Sequence, residues 1–94
     1  MLGGYGSAKD ADTEVKTLAT SLKGACETKC GKTFSKFDAV KYTSQVVAGM
    51  NYKIKVDVGD GKYVHIKVYQ PLPHTNEPPK LDEVEEGKSL EDAF

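Results

Sequence analysis

Cys26, Cys30, His65 and His74 are the side chains of this sequence best suited to covalent or metal chemistry. A thiolate beside an imidazole is the pairing of a cysteine nucleophile with its general base. Nothing in the sequence orients either histidine toward a thiol, and Cys26 falls on the helix stripe expected to be buried, where a thiol is inert. A zinc site from the same four residues fails on spacing: Cys-x3-Cys is tolerable, but 34 intervening residues and then His-x8-His match no compact finger. A redox pair of the thioredoxin kind has two residues between its cysteines, not three. The i, i+4 spacing instead makes the two cysteines neighbours on one helix, and reduced thiols fit a cytosolic protein. No catalytic residue, metal or cofactor is expected.

The elements that position the remaining candidates follow from periodicity. Val15, Leu18, Ala19, Leu22, Ala25 and Cys26 recur at helical spacing, with Asp12 or Thr13 available to cap the first turn. That predicts one amphipathic helix ending near Gly31, with Gly24 weakening it by about 1 kcal/mol relative to Ala. After Phe34 the period becomes two. Phe37 and Ala39 share one parity, and Val40, Tyr42, Ser44 and Val46 the other, so a bulge near Ala39-Val40 keeps the apolar face inward. Tyr52, Ile54, Val56 and Val58 alternate with Lys53, Lys55 and Asp57, and Val64, Ile66 and Val68 repeat the pattern. Between those runs Gly59-Asp60-Gly61 tolerates positive φ and predicts a tight hairpin.

A lone helix followed by hairpins gives an α+β class, because each has one apolar face and needs the other to cover it. We expect a single helix gripped by a curled antiparallel sheet of four to five strands. All 94 residues form a single domain, with residues 1–11 an extended, mobile segment that has no core to join. The tail is Pro-rich and then acidic, too charged for a central strand, with only Leu90 and Phe94 able to anchor an edge strand.

Thirteen Lys plus Arg against fourteen Asp plus Glu leave no field to hold a polyanion or an anionic membrane. No apolar run approaches the roughly 18 residues needed to span a bilayer. The N-terminus lacks the basic start and apolar block of a secretory signal, so the reading is cytoplasmic.

The run Gln45-Val46-Val47-Ala48-Gly49, followed by Asn51-Tyr52 and an alternating strand, resembles the first inhibitory loop of the cystatin superfamily. Gly3-Gly4 near the N-terminus and Leu72-Pro73 after the third alternating run fall where that superfamily carries its other two contact sites. Leu72-Pro73-His74, the terminal Phe94, the chain length and the lack of a disulfide framework make the chain similar to the stefins, or type 1 cystatins. It departs from them in a shorter tail, in Val84 where an aromatic is common, and in Cys30 where a polar residue is usual.

The resemblance implies a reversible, tight-binding competitive inhibitor of papain-like cysteine proteases of cathepsin L, B, H or S type. An N-terminal segment with Leu2, Gly3 and Gly4, a first hairpin at Gln45, Val46, Val47, Ala48 and Gly49, and a second loop at Leu72, Pro73 and His74 would wedge into the active-site cleft. Gly49 suits a sharp turn, and Val46, Val47 and Ala48 offer a small apolar tip with little side-chain entropy to lose. The other reading is a cystatin-fold interaction or self-associating module without inhibitory activity. Stefins also exchange elements between copies. Here the loop from Gln45 to Gly49 would be the hinge of a domain-swapped dimer, the monomer being the active form.

Overall fold

A computed structural model of the protein describes residues 5–94. In chain order the elements are β1 (Lys9–Asp10), α1 (Thr13–Ser21), α2 (Lys23–Cys30), β2 (Asp38–Val47), β3 (Gly49–Gly59), β4 (Lys62–Gln70), a single 3-10 turn (Pro73–Thr75) and β5 (Lys80–Lys88). The strands form one open antiparallel sheet in the order β1-β2-β3-β4-β5, with the helical segments across one face.

The helix starts where the Asp12 carboxylate accepts the Val15 N–H at 2.9 Å. It ends at Gly31, which adopts the left-handed conformation at φ 69°. The expected single helix is instead broken at Leu22 (φ −102°, ψ 3°). The Ser21 hydroxyl donates to the Leu18 carbonyl at 2.7 Å, the oxygen that the Leu22 N–H would otherwise use, and that N–H turns to Ala19. Gly24, two residues on, adds little resistance to the break. The apolar stripe survives it: Val15, Ala19, Leu22 and Cys26 are buried, Leu18 and Cys30 pack at their margin, and Ala25 faces out.

Across from the stripe the sheet presents Ile54, Val56, Val64, Ile66 and Val68, all buried, with Ala39 and Phe34. Cross-strand register sets these rows: Tyr42 opposite Ile54 opposite Ile66 opposite Val84, and Ser44 opposite Tyr52 opposite Val68 opposite Leu81. The predicted bulge lies between Ala39 and Lys41 and leaves Val40 as the extra residue, which returns Tyr42 to the inner face. Gly59, Asp60 and Gly61 all have positive φ and turn β3 into β4. Asp57 accepts the Gly59 N–H at 2.9 Å and pairs with Lys36 at 3.1 Å, and these two donors hold its carboxyl below the usual range.

Three further features differ from the sequence reading. Residues 9–11 are joined to the sheet, with Lys9 opposite Tyr42 and the Ala11 N–H on the Val40 carbonyl. Lys80–Lys88 forms a full edge strand whose anchors are Leu81 and Val84, not Leu90, which is exposed. An acidic strand is tolerated there because every other side chain of an edge faces water. The third difference is on the outer face, where Lys55 and His65 are buried instead of wet. Residues 89–94 fold back over them: the Lys55 ammonium donates to the Leu90 and Asp92 carbonyls, and the Phe94 ring lies 4.9 Å from the His65 ring. Buried charge needs such partners.

Among the described residues no helix is long and apolar enough to cross a membrane, and no group of three or more His, Cys, Asp or Glu could hold a metal ion. Cys26 belongs to the inner core while His65 packs under Phe94 on the opposite face of the sheet, so they cannot act together.

Two outcomes follow from this packing. Burial pushes the Cys26 thiol up to about 12, whereas Cys30, raised by partial burial and by Glu86, keeps access to solvent. Brief alkylation of the native protein should label Cys30 first and Cys26 only on unfolding; mass mapping that found Cys26 first would reverse the helix phase. His65 is held below its ordinary value of 6.5 by burial, then by Lys55 and Lys88, against Glu85 and Asp92. The unfolded chain therefore binds a proton near pH 6.5 that the fold resists, and stability should decline as pH falls below that point until the folded imidazole also titrates. Denaturation curves at pH 7.5 and 5.5 should show this decline, and His65→Gln should remove that part of it.

Candidate functional site

The antiparallel register gathers three separate stretches of chain at one end of the sheet. The first is the β2–β3 hairpin. Pairing runs through Val46 opposite Met50 to Val47 opposite Gly49, leaving Ala48 alone at the turn. So abrupt a reversal needs a residue at positive φ, and Gly49 supplies it at 120°. A Cβ at position 49 would also lie 2.5 Å from the Gln70 carbonyl oxygen and 3.1 Å from the Tyr69 hydroxyl. Only glycine fits on both counts. Beneath the tip the Asn51 amide donates to the Gln45 side-chain oxygen at 3.3 Å, tying the base of the hairpin across its two strands.

The second stretch is the exit from β4. Because Met50 pairs with Gln70, Pro71, Leu72 and the 3-10 turn leave the sheet directly beside the first tip. Pro71 is buried, and the Leu72 carbonyl accepts both the Thr75 N–H at 3.1 Å and the Thr75 hydroxyl at 2.8 Å. These bonds close the turn with Leu72 and His74 exposed.

The third stretch is the N-terminal chain. Lys9 lies opposite Tyr42, and the Gly6 N–H donates to the Ser44 carbonyl at 3.2 Å, so the chain runs antiparallel to β2 toward its tip. The Thr43 hydroxyl donates to the Gly6 carbonyl at 2.5 Å, and the Lys53 ammonium sits 4.4 Å from the centre of the Tyr5 ring. Lys41 pairs with Asp10 at 2.7 Å and holds that carboxyl below its usual range. Leu2, Gly3 and Gly4 lie outside the described residues.

The edge so formed is apolar and projects. Val46 is 63% exposed and Leu72 39%, and the third exposed large apolar side chain among the described residues, Leu90, is on the tail. Two water-facing aliphatic side chains thus stand at neighbouring tips. Counted from the N-terminal chain to β4 the edge spans three inter-strand spacings, roughly 14 Å. Among the described residues the edge projects as a blunt wedge of two tips beside the N-terminal chain. Gln45, Val46, Val47, Ala48, Gly49, Leu72 and His74 are thus brought together. Tyr69 is the residue of this edge that periodicity alone did not single out; its outward parity on β4, two residues before the loop, is the signal that marks it.

Comparison with known proteins finds relatives over nearly the whole chain. Residues 3–91 match the Cystatin domain family. Cystatin-A1 of Sus scrofa is 48% identical over 98% of this chain and 89% of its own length. Stefin-C of Bos taurus is 45% identical over 97% and 90%, and Cystatin-A of Homo sapiens 42% identical over 96% and 92%. With residues 3–91 matched by the family and relatives 42–48% identical over nearly its full length, the chain belongs to the cystatin family, in the stefin branch.

Proposed function

We propose that this protein is a reversible, tight-binding competitive inhibitor of papain-like cysteine proteases of the cathepsin type, acting through the N-terminal segment and the two loops. The observation that carries the reading is the convergence of the exposed Val46 tip and the exposed Leu72 loop on one edge, reached by the N-terminal chain. As a cystatin the chain belongs to a family of inhibitors, not of enzymes. A relative 45% identical over 98% of this chain is named Leukocyte cysteine proteinase inhibitor 1, from Sus scrofa, which supports the same target class.

Inhibition of this kind is occlusion. A narrow, dry protease cleft favours small apolar side chains on backbone that is already ordered, because little entropy is then lost on docking. Val46, Val47 and Ala48 meet that need on the first tip, and Leu72 and the proline-restricted turn on the second. Leu2 would occupy an apolar subsite and Gly3 turn the chain away, so no peptide carbonyl is held in line with the catalytic thiolate and the inhibitor is not cleaved as a substrate. His74 borders the second contact. The monomer is the active form in this reading, since opening the hairpin at Gln45 to Gly49 into one continuous strand would abolish its tip. The unpaired Cys26 and Cys30 are compatible with action in a reducing compartment such as the cytosol.

Titration of papain, and of a cathepsin L-type enzyme, with gel-filtered monomer should give competitive, reversible inhibition. Removing Met1 and Leu2 should then weaken it about 10- to 150-fold, the worth of burying one leucine. A monomer without effect on either protease would refute the proposal, and full potency after the truncation would remove the N-terminal segment from it. Gly49→Val should weaken inhibition by roughly 5- to 150-fold, since a non-glycine residue at positive φ costs about 1–3 kcal/mol and its Cβ collides with the Gln70 carbonyl. Inhibition constants equal to those of the parent would show that the first tip is not in contact.

A further inference from the structure

The first tip is held by a strand to which it does not belong. Tyr69 stands on the outer face of β4, opposite Asn51 of β3, two residues before the chain leaves the sheet toward Leu72. Its hydroxyl donates to the Ala48 carbonyl at 2.5 Å. Ala48 is the single residue between the last paired positions of the hairpin, so that carbonyl has no ladder partner. The ring also lies against position 49, where a Cβ would be 3.2 Å from Tyr69 Cε1 and 2.5 Å from the Gln70 carbonyl oxygen. The bare Gly49 backbone and the flat phenol are therefore a matched pair: the glycine lets the ring approach, and the ring delivers a donor to the preceding carbonyl.

From this geometry we infer that Tyr69 is a positioning residue for the first tip, coupling it to the second loop, which leaves β4 two residues later. The inference rests on the inhibitory reading above and extends it to a residue outside both loops. A one-residue turn directly after Val46 and Val47 works against the extended backbone that β-branched residues favour. A hydrogen bond to its apex holds the turn closed before any partner arrives. The free protein then carries the tip in its docking conformation, and the ordering cost is met within the fold instead of at the interface. Because Tyr69 and Leu72 are on one short stretch of chain, the two tips keep a fixed separation.

The test is Tyr69→Phe, which keeps the ring against Gly49 and removes only the donor. Two measurements are compared with the parent: association and dissociation rates for papain, and amide hydrogen exchange of the free protein resolved at Ala48, Gly49 and the core strands. The expected result is faster exchange confined to the tip, together with an inhibition constant raised about 2- to 12-fold, the effect of one lost hydrogen bond, through slower association, faster dissociation or both. An unchanged inhibition constant would overturn the inference. So would a raised constant with the tip exchanging as before, because the phenol would then be touching the protease directly. Acceleration spread over the core strands would mean that Tyr69 serves global stability and would overturn it too. If the parent does not inhibit papain, the inhibitory reading fails and the positioning role fails with it, while the exchange measurement still decides whether the hydroxyl braces the turn.

Discussion

Five branched side chains on two adjacent strands, Ile54, Val56, Val64, Ile66 and Val68, must leave water on the same side, and the helical stripe from Val15 to Cys26 is what covers them. Full burial of each contributes about 1.5–3 kcal/mol. A slip of one residue between β3 and β4 would turn the whole set outward, so this burial locks the register. The register in turn places Met50 against Gln70, and that single pairing sets the first tip beside the exit of β4. The geometry of this edge is thus a consequence of core packing far from it.

The opposite face is less ordinary. Lys55 and His65 face each other across β3 and β4, positions that an alternating pattern assigns to solvent. Residues 89–94 cover them, and the Lys55 ammonium is satisfied by two main-chain carbonyls. A charged amine beneath a layer of chain is stable only because those acceptors are in place, and burial still lowers its proton affinity. The tail is therefore held by backbone acceptors and one aromatic ring more than by aliphatic packing, which is why Leu90 stays exposed.

The edge itself combines projection with restraint. Exposed Val46 and Leu72 carry the apolar surface, while Thr43, Tyr69 and Thr75 supply hydrogen bonds that keep backbone carbonyls at Gly6, Ala48 and Leu72 occupied. Polar groups do the holding and apolar groups are left free to be covered. That division gives a wedge whose projecting surface is small side chains on ordered backbone.

Much of this was legible in the chain itself. Period-two alternation from Tyr52 to Val68, the Gly59-Asp60-Gly61 turn, the Asp12 cap, the parity change at Ala39-Val40 and the Gln45 to Gly49 run each depend on neighbours a few residues away, so local sequence determines them. What only the tertiary structure decided involves partners distant in sequence. The acidic tail becomes a strand because β4 offers it an unpaired edge. Lys55 and His65 are buried because a segment more than twenty residues downstream returns over them. Tyr69 reaches Ala48 only because two antiparallel turns of the chain have brought β4 alongside the first tip, a proximity that no periodicity encodes.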